Sequence, residues 1–216
     1  KRNYAKDMVT GFIKLNGATV GAVANRTEVY GEDGKAADKF EAVLSPEGCE
    51  KAADFIGFCD AFDIPVLSLT NVKGYASTKC AEKKMAKAAA RLTYAFANAT
   101  VPKVNVITLK AMGSAYVAMN SKAIGADITM AWPDAEIGTM DAKLAAKIIC
   151  DGKGAEAIDE CAKEYAALQT SAVSAAKRGY VDQIVAPEDT RKYVIGAFEM
   201  LYTKHEERPA KKHGTV

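Results

Sequence analysis

The chain is short of histidine, tryptophan and proline: it has two, one and six among 216 residues. Both histidines, His205 and His213, lie near the far end. No serine or cysteine in the first 200 positions therefore has a sequence-near imidazole to activate it, and a zinc site of the His/Cys type is not expected. The five cysteines, Cys49, Cys59, Cys80, Cys150 and Cys161, are odd in number and form no C-x-x-C pair. That usage fits a reduced, cytoplasmic protein whose thiols act mostly as small buried apolar groups. No run approaches the roughly 18 apolar residues needed to span a bilayer, and no signal-peptide pattern is visible. There is no large excess of either charge: 29 Lys and Arg against 27 Asp and Glu leave a net +2, which argues against a nucleic-acid partner. Walker and Rossmann fingerprints are missing too, since Gly11, Gly17 and Gly21 fall in a hairpin rather than at a strand-to-helix turn.

What remains is an ordinary globular composition, 49% hydrophobic and 26% charged, long enough for one domain. The chain begins Lys1-Arg2-Asn3 without methionine, so it is expected to be a piece of something longer. MVTGFIKL (8–15) and ATVGAVAN (18–25) read as two strands joined by an Asn16-Gly17 turn of type I′. The polar stretch that follows predicts no element before a short strand at 43–45. Ser45-Pro46-Glu47 is a helix start, and Ala52, Phe55, Ile56, Cys59 and Phe62 recur at helical spacing as a core face. Strands are expected at 66–72, 101–109 and 127–132. Between them come a loop at 73–78, a helix at 80–99 and a helix at 113–125. Beyond Trp132 the pattern is helical, at 142–150, 154–168, 170–178 and 188–204, with a strand at 180–185. Alternation of strand and helix implies an α/β layered fold with parallel pairing.

The stretch KAMGSAYVAMNSKAIGAD (110–127) carries the sharpest chemical signal. Small residues, Gly113-Ser114-Ala115, stand where a buried strand turns into a helix whose first N–H groups have no internal partner. Either the turn only packs closely, or a ligand oxygen reaches those amides as an oxyanion hole. Ser114 lacks the G-x-S-x-G setting of a nucleophile. Glu136 and Asp141 are candidate acid–base carboxylates, or else a surface acid and a helix cap. Lys83, Lys84, Lys87 and Arg91 form a stripe expected to be solvated. Lys204, His205, Arg208, Lys211, Lys212 and His213 form a basic tail that would contact phosphate or simply stay in water.

Several stretches, in order, resemble the carboxyltransferase subunits of biotin-dependent acyl-CoA carboxylases and the related decarboxylases. They are VTGFIKLNGATVGAVAN (9–25), EKAADFIGFCDAFDIPVLSLTNVKGY (50–75), the long run 90–140, RGYVDQIVAPEDTR (178–191) and RPAKKHG (208–214). The resemblance is to the C-terminal, biotin-side half of such subunits and covers most of the chain. It implies an α/β crotonase-like spiral of ββα units with a mostly parallel sheet and flanking helices, a single domain over 1–216 cut from a two-domain subunit. It also implies an active site completed by an N-terminal carboxyltransferase half that carries most of the acyl-CoA site. A biotin carboxyl carrier protein would bring biotin, no metal would be held in this domain, and the assembly would be a homo-oligomer, trimer or hexamer.

By the same resemblance, the N–H groups of Ser114 and Ala115 are the catalytic donors to the ureido oxygen of biotin. Gly74, Tyr75, Gly113 and Tyr116 are biotin-binding, and Val117 and Met140 face the acyl substrate. In such enzymes carboxybiotin releases CO2, the amides hold the resulting enolate, and the biotin nitrogen takes the α proton of the acyl-CoA, so few side chains are needed. The chain departs from the family pattern in a segment around 30–48 that looks longer than usual, and at three motifs. Ser114 replaces a second glycine, Lys73-Gly74-Tyr75 replaces Pro-Gly-Phe, and Met140-Asp141-Ala142-Lys143-Leu144 replaces Met-Gly-Pro-Glu-Gly. Two other readings stay open at this point. One is a stand-alone crotonase-type hydratase or isomerase, in which Val117 occupies the place of a catalytic glutamate. The other is a non-catalytic domain for assembly or for docking a biotin carrier.

Overall fold

A computed structural model of the chain describes residues 1–208. The first two apolar stretches form β1 (Met8–Leu15) and β2 (Ala18–Asn25), antiparallel from Met8↔Asn25 to Leu15↔Ala18. Asn16 and Gly17, at φ +46° and +83°, make the turn between them, as a two-residue hairpin of this kind requires. The polar stretch expected to be irregular instead holds a small hairpin, β3 (Glu28–Tyr30) and β4 (Ala36–Lys39), which turns through Gly34 at φ +72°. Its residues are half-buried or exposed, so no apolar alternation announced it. β5 (Val43–Leu44) follows.

Helix α1 (Pro46–Ala61) starts as its cap signal predicts: Ser45 Oγ accepts from the Gly48 N–H at 2.9 Å. Ala52, Ile56 and Cys59 are fully buried and Phe55 is partly so. Phe62, expected in the core, is 64% exposed, because it is the C-cap residue and leans on Phe58 at the surface, rings 4.6 Å apart. Next comes β6 (Val66–Val72). The expected loop after it contains β7 (Gly74–Tyr75), which pairs in parallel with β5. In α2 (Lys79–Asn98) the face Ala81, Met85, Ala88, Leu92 and Phe96 is buried, and Lys83, Lys84, Lys87 and Arg91 stay in solvent. Lys84 meets Glu47 at 3.6 Å and Arg91 meets Asp54 at 2.7 Å. Exposed pairs of this kind are worth about 1 kcal/mol at most.

β8 (Lys103–Met112) runs three residues further than the apolar pattern indicated, directly into α3 (Gly113–Ala118). The helix expected over 113–125 stops at Ala118. Asn120 takes the left-handed conformation, at φ +55°, and a separate 3-10 turn occupies Lys122–Ile124. β9 (Ile128–Ala131) is followed by β10 (Glu136–Gly138), a strand the sequence pattern did not predict. The remainder is α4 (Ala142–Ile149), α5 (Ala155–Tyr165), a π turn over 166–170, α6 (Ala172–Lys177), β11 (Gln183–Ile184) and α7 (Thr190–Met200). The last two are shorter than expected. Residues 187–189 form a 3-10 turn ahead of α7.

The main sheet runs β1-β2-β6-β8-β9-β11, with β10 added beside β8. All pairs after β1–β2 are parallel. One core lies between the sheet and α1, α2 and α3, around Ile56, Leu92, Phe96, Ile107 and Met119. A second lies against α7, around Leu67, Val104, Val106 and Val194. Crossover helices on a parallel sheet leave the carboxyl ends of the strands as the open crevice where ligands bind. Here those ends are Val72 of β6 and Met112 of β8.

Candidate active site

The site is built where β6 and β8 stop pairing evenly. Their register runs Thr70↔Ile107 and then jumps to Val72↔Ala111, so β8 bulges by two residues. Two asparagines hold the bulge: Asn25 Nδ2 donates to the Asn71 carbonyl, and the Lys110 N–H donates to Asn71 Oδ1 at 3.2 Å. The released end of β8 pairs with β10 instead, with Met112 opposite Gly138.

Immediately after that pair the chain turns at Gly113. Its φ is +58°, and a Cβ there would stand 3.2 Å from the Thr139 carbonyl oxygen. Only glycine reaches this geometry without strain. Ser114 is exposed, Ala115 and Tyr116 are buried, and Val117 is half-buried. No side chain caps α3, and because the helix begins directly after β8 the N–H groups of its first turn have no carbonyl four residues back within the helix. Two neighbouring amide donors at an exposed strand-to-helix turn suit a neutral or developing-negative oxygen.

The other expected site residues gather unevenly. β7, which holds Gly74 and Tyr75, packs on α3, which begins at Gly113 and holds Tyr116. Tyr75 is half-buried against the same apolar cluster that contains Ala115 and Tyr116, and it also lines a cavity of about 690 Å³ with Tyr4, Phe40 and Thr78. Met140 is half-buried between β10 and α4. The phenol of Tyr116 is directed into the protein: its oxygen is buried without a partner among the described residues, and burial pushes its pKa up to about 12. Tyr116 thus supports the turn from beneath with its ring.

Glu136 and Asp141 do not act as a free acid–base pair. Lys110 Nζ lies 3.3 Å from Glu136 and 3.5 Å from Asp141, and Asp141 Oδ1 accepts from the Lys143 N–H as the cap of α4. Lys73 is likewise neutralised, 3.0 Å from Glu41. Lys73, Asn71, Lys110 and Glu136 line a cavity of about 440 Å³. Sequence reasoning missed this ion-paired rim and the Asn25–Asn71 clasp. The signal available was Asn71, an amide side chain one residue from the end of a strand that also carries Ser68 and Thr70. His205 offers no base to Ser114. It lines a cavity of about 730 Å³ formed partly by Pro65 and Pro102, at the opposite end of β6 and β8 from Gly113. Lys211, Lys212 and His213, with most of the stretch 208–214, lie outside the described residues. Among the described residues no helix is long and apolar enough to cross a membrane.

The chain is similar to known proteins along nearly its whole length. The propionyl-CoA carboxylase beta chain of Saccharopolyspora erythraea is 41% identical over 224 residues, covering 99% of this chain and 39% of that one. The methylmalonyl-CoA decarboxylase subunit alpha of Propionigenium modestum is 38% identical over 221 residues, covering 99% and 41%. A crystal structure of transcarboxylase 12S, described as a hexamer assembly with methylmalonyl-CoA bound, superposes with a TM-score of 0.89 at 39% identity, covering 99% of this chain and 40% of that one. The chain therefore spans about 40% of the length of these relatives. Its fold is the crotonase-like α/β arrangement of solved carboxyltransferases, a mostly parallel sheet with flanking helices. The carboxyl transferase domain family matches residues 1–216 from end to end, and the chain belongs to that family.

Proposed function

We propose that this chain is the biotin-facing half of an acyl-CoA carboxyltransferase subunit, a single domain over 1–216 that works beside an N-terminal half carrying most of the acyl-CoA site. One observation carries the reading: the N–H groups of Ser114 and Ala115 stand in the uncapped first turn of a helix, at a strand-to-helix turn that glycine makes at least strain. Such a pair stabilises an oxygen on which negative charge grows. In a site that excludes water, losing one donor typically costs about 3 kcal/mol.

Biotin, brought by a separate carrier protein, supplies the carried carboxyl group when bound. Ser114 and Ala115 would hold its ureido oxygen, and Gly113 would admit it. Gly74 and Tyr75 would wall the ring, with Tyr116 packed beneath. Val117 and Met140 would face the acyl group. The work of this chain is to bind, orient and exclude water; none of these side chains is placed to move a proton.

Relatives named for propionyl-CoA and methylmalonyl-CoA favour a short-chain acyl-CoA as substrate. The hexameric transcarboxylase favours a homo-oligomer, a hexamer rather than a trimer. The same chemistry serves carboxylation and decarboxylation, because the transfer is reversible. A stand-alone hydratase is disfavoured by Val117, which has no proton to give, and by Asp141, which is occupied as a helix cap.

The test is complementation. Mixing the chain with a matching CoA-facing half and free biotin should yield biotin-dependent conversion of methylmalonyl-CoA to propionyl-CoA, the carboxyl group passing to biotin, and the reverse carboxylation of propionyl-CoA once carboxybiotin is supplied. Absence of turnover across a panel of acyl-CoAs would remove the proposal, and enoyl-CoA hydration by the chain alone would replace it. Tight carrier binding without turnover would favour a docking role instead.

A further inference from the structure

A six-residue helix cannot hold its own direction in water, and α3 has six residues. Gly113 and the Thr139 carbonyl fix where it begins. Its far end is held by a line of neutral polar groups. Asn120 Nδ2 donates to Ser68 Oγ at 3.0 Å and to the Val104 carbonyl at 3.4 Å. Ser68 Oγ donates on to Asn105 Oδ1 at 3.0 Å, and Thr70 Oγ1 donates to the same oxygen at 2.8 Å. Thr70 Oγ1 also lies 3.4 Å from the Met119 carbonyl oxygen, at the C-cap of α3. Ser68 and Asn105 are direct neighbours on β6 and β8, two strands in the middle of the sheet. All four of these polar side chains have no solvent exposure.

Such a cluster is a costly way to fill a core. Apolar side chains of the same volume would avoid the desolvation of four polar groups. A hydrogen-bonded network does what apolar packing does not: its directional bonds favour one geometry, even though Asn105 Nδ2 and Asn120 Oδ1 have no partner among the described residues. The backbone of Asn120 adds a second constraint, since the left-handed conformation at φ +55° reverses the chain directly behind α3.

We propose that Asn120 is a positioning residue for carboxyl transfer: through Ser68 and Asn105 it ties the far end of α3 to the central strands, and so sets the direction of the Ser114 and Ala115 amides. The inference rests on the function proposed above. Asn120 touches no reacting atom. It acts only through the segment it holds.

Asn120→Gly keeps the left-handed backbone and removes the clasp, and Ser68→Ala removes its acceptor with little change of volume. In the complemented enzyme, Asn120→Gly should lower kcat about tenfold to a hundredfold and leave KM for the acyl-CoA unchanged. Ser68→Ala should act in the same direction. The double variant should be no slower than the slower single one, because both changes break one path. Hydrogen exchange gives a readout independent of turnover. Amides of residues 117–121 should exchange faster in either variant, while those of α2 keep their protection. A folded variant with unchanged kcat, or additive losses in the double variant, would overturn the proposal. If the unvaried assembly shows no turnover, the functional reading fails, and unchanged protection over 117–121 would then overturn the positioning role by itself. Should Asn120→Gly fail to fold, Ser68→Ala carries both measurements.

Discussion

The carbonyl oxygen of Thr139 stands over the α-carbon of Gly113, so close that a Cβ there would meet it at 3.2 Å on a backbone with φ of +58°. The strand β10, which the hydrophobic pattern did not reveal, thus shapes the candidate oxyanion turn from outside. Gly113→Ala should cost about 1–2 kcal/mol from the left-handed backbone alone, with a further loss as Thr139 is pushed away. Thermal unfolding should show a lower midpoint. An unchanged midpoint would mean that the turn relaxes freely and imposes no geometry on the amides.

Removing one amide tests the donors directly. Ser114→Pro deletes the N–H in the first turn of α3, where a helix tolerates proline. Turnover in the complemented enzyme should fall by about 10²–10³-fold, with circular dichroism and acyl-CoA affinity retained. Ser114→Gly keeps the amide and removes only the exposed hydroxyl, so it should leave kcat at or above the parent value. Equal losses in both variants would locate the effect in the hydroxyl rather than in the backbone.

Tyr116 offers a contrasting case. Its phenol oxygen is buried with no partner among the described residues. Replacing such a group by an apolar isostere is close to neutral, or stabilising. Tyr116→Phe should therefore unfold at the same or a slightly higher temperature and keep its activity. With the phenol pushed up to about 12 by burial, the pH–rate profiles of the two proteins should coincide across the neutral range. A large activity loss in Tyr116→Phe would show that the hydroxyl reaches the ligand after all.

The cysteines should separate by accessibility. Cys80 is exposed, whereas Cys49, Cys59 and Cys150 are buried. Burial pushes the Cys49 thiol up to about 12 and the Cys59 thiol to about 11, from an ordinary value of 9.0. Iodoacetamide at neutral pH should label Cys80 quickly and reach Cys49 and Cys59 only after denaturant is added. The folded state holds these two thiol protons more tightly than the unfolded chain does. Their stabilising effect is therefore full below about pH 9 and is lost as pH rises toward 11–12. Early labelling of Cys49 in the native protein would contradict the packing of α1.

Local signals in the sequence were reliable where the chemistry is local. Asn16-Gly17 placed the first turn, Ser45-Pro46 placed the start of α1, and Asp141 was foreseen as the cap it is. The apolar run 101–109 located β8 but not its end, because residues 110–112 are held by pairing with β10 rather than by their own pattern. The helix expected to reach residue 125 ends at Ala118 for a similar reason. Asn120 is a tolerable helix residue by composition, and only its buried contacts with Ser68 and Val104 commit it to the left-handed backbone. Phe62 matched the core periodicity of α1, yet the helix ends there and its ring faces solvent.

By itself the amino-acid sequence determined the α/β alternation, the position of the Gly113-Ser114-Ala115 turn and the likeness to carboxyltransferases. These reside in period, in turn chemistry and in order along the chain. Tertiary structure alone decided that the strand of Tyr75 packs on the helix of Tyr116, that Lys110 pairs with both Glu136 and Asp141, and that the phenol of Tyr116 points inward. Each of these depends on which strands become neighbours and where a ladder slips. That choice is made by contacts between residues far apart in sequence, and no local pattern records it.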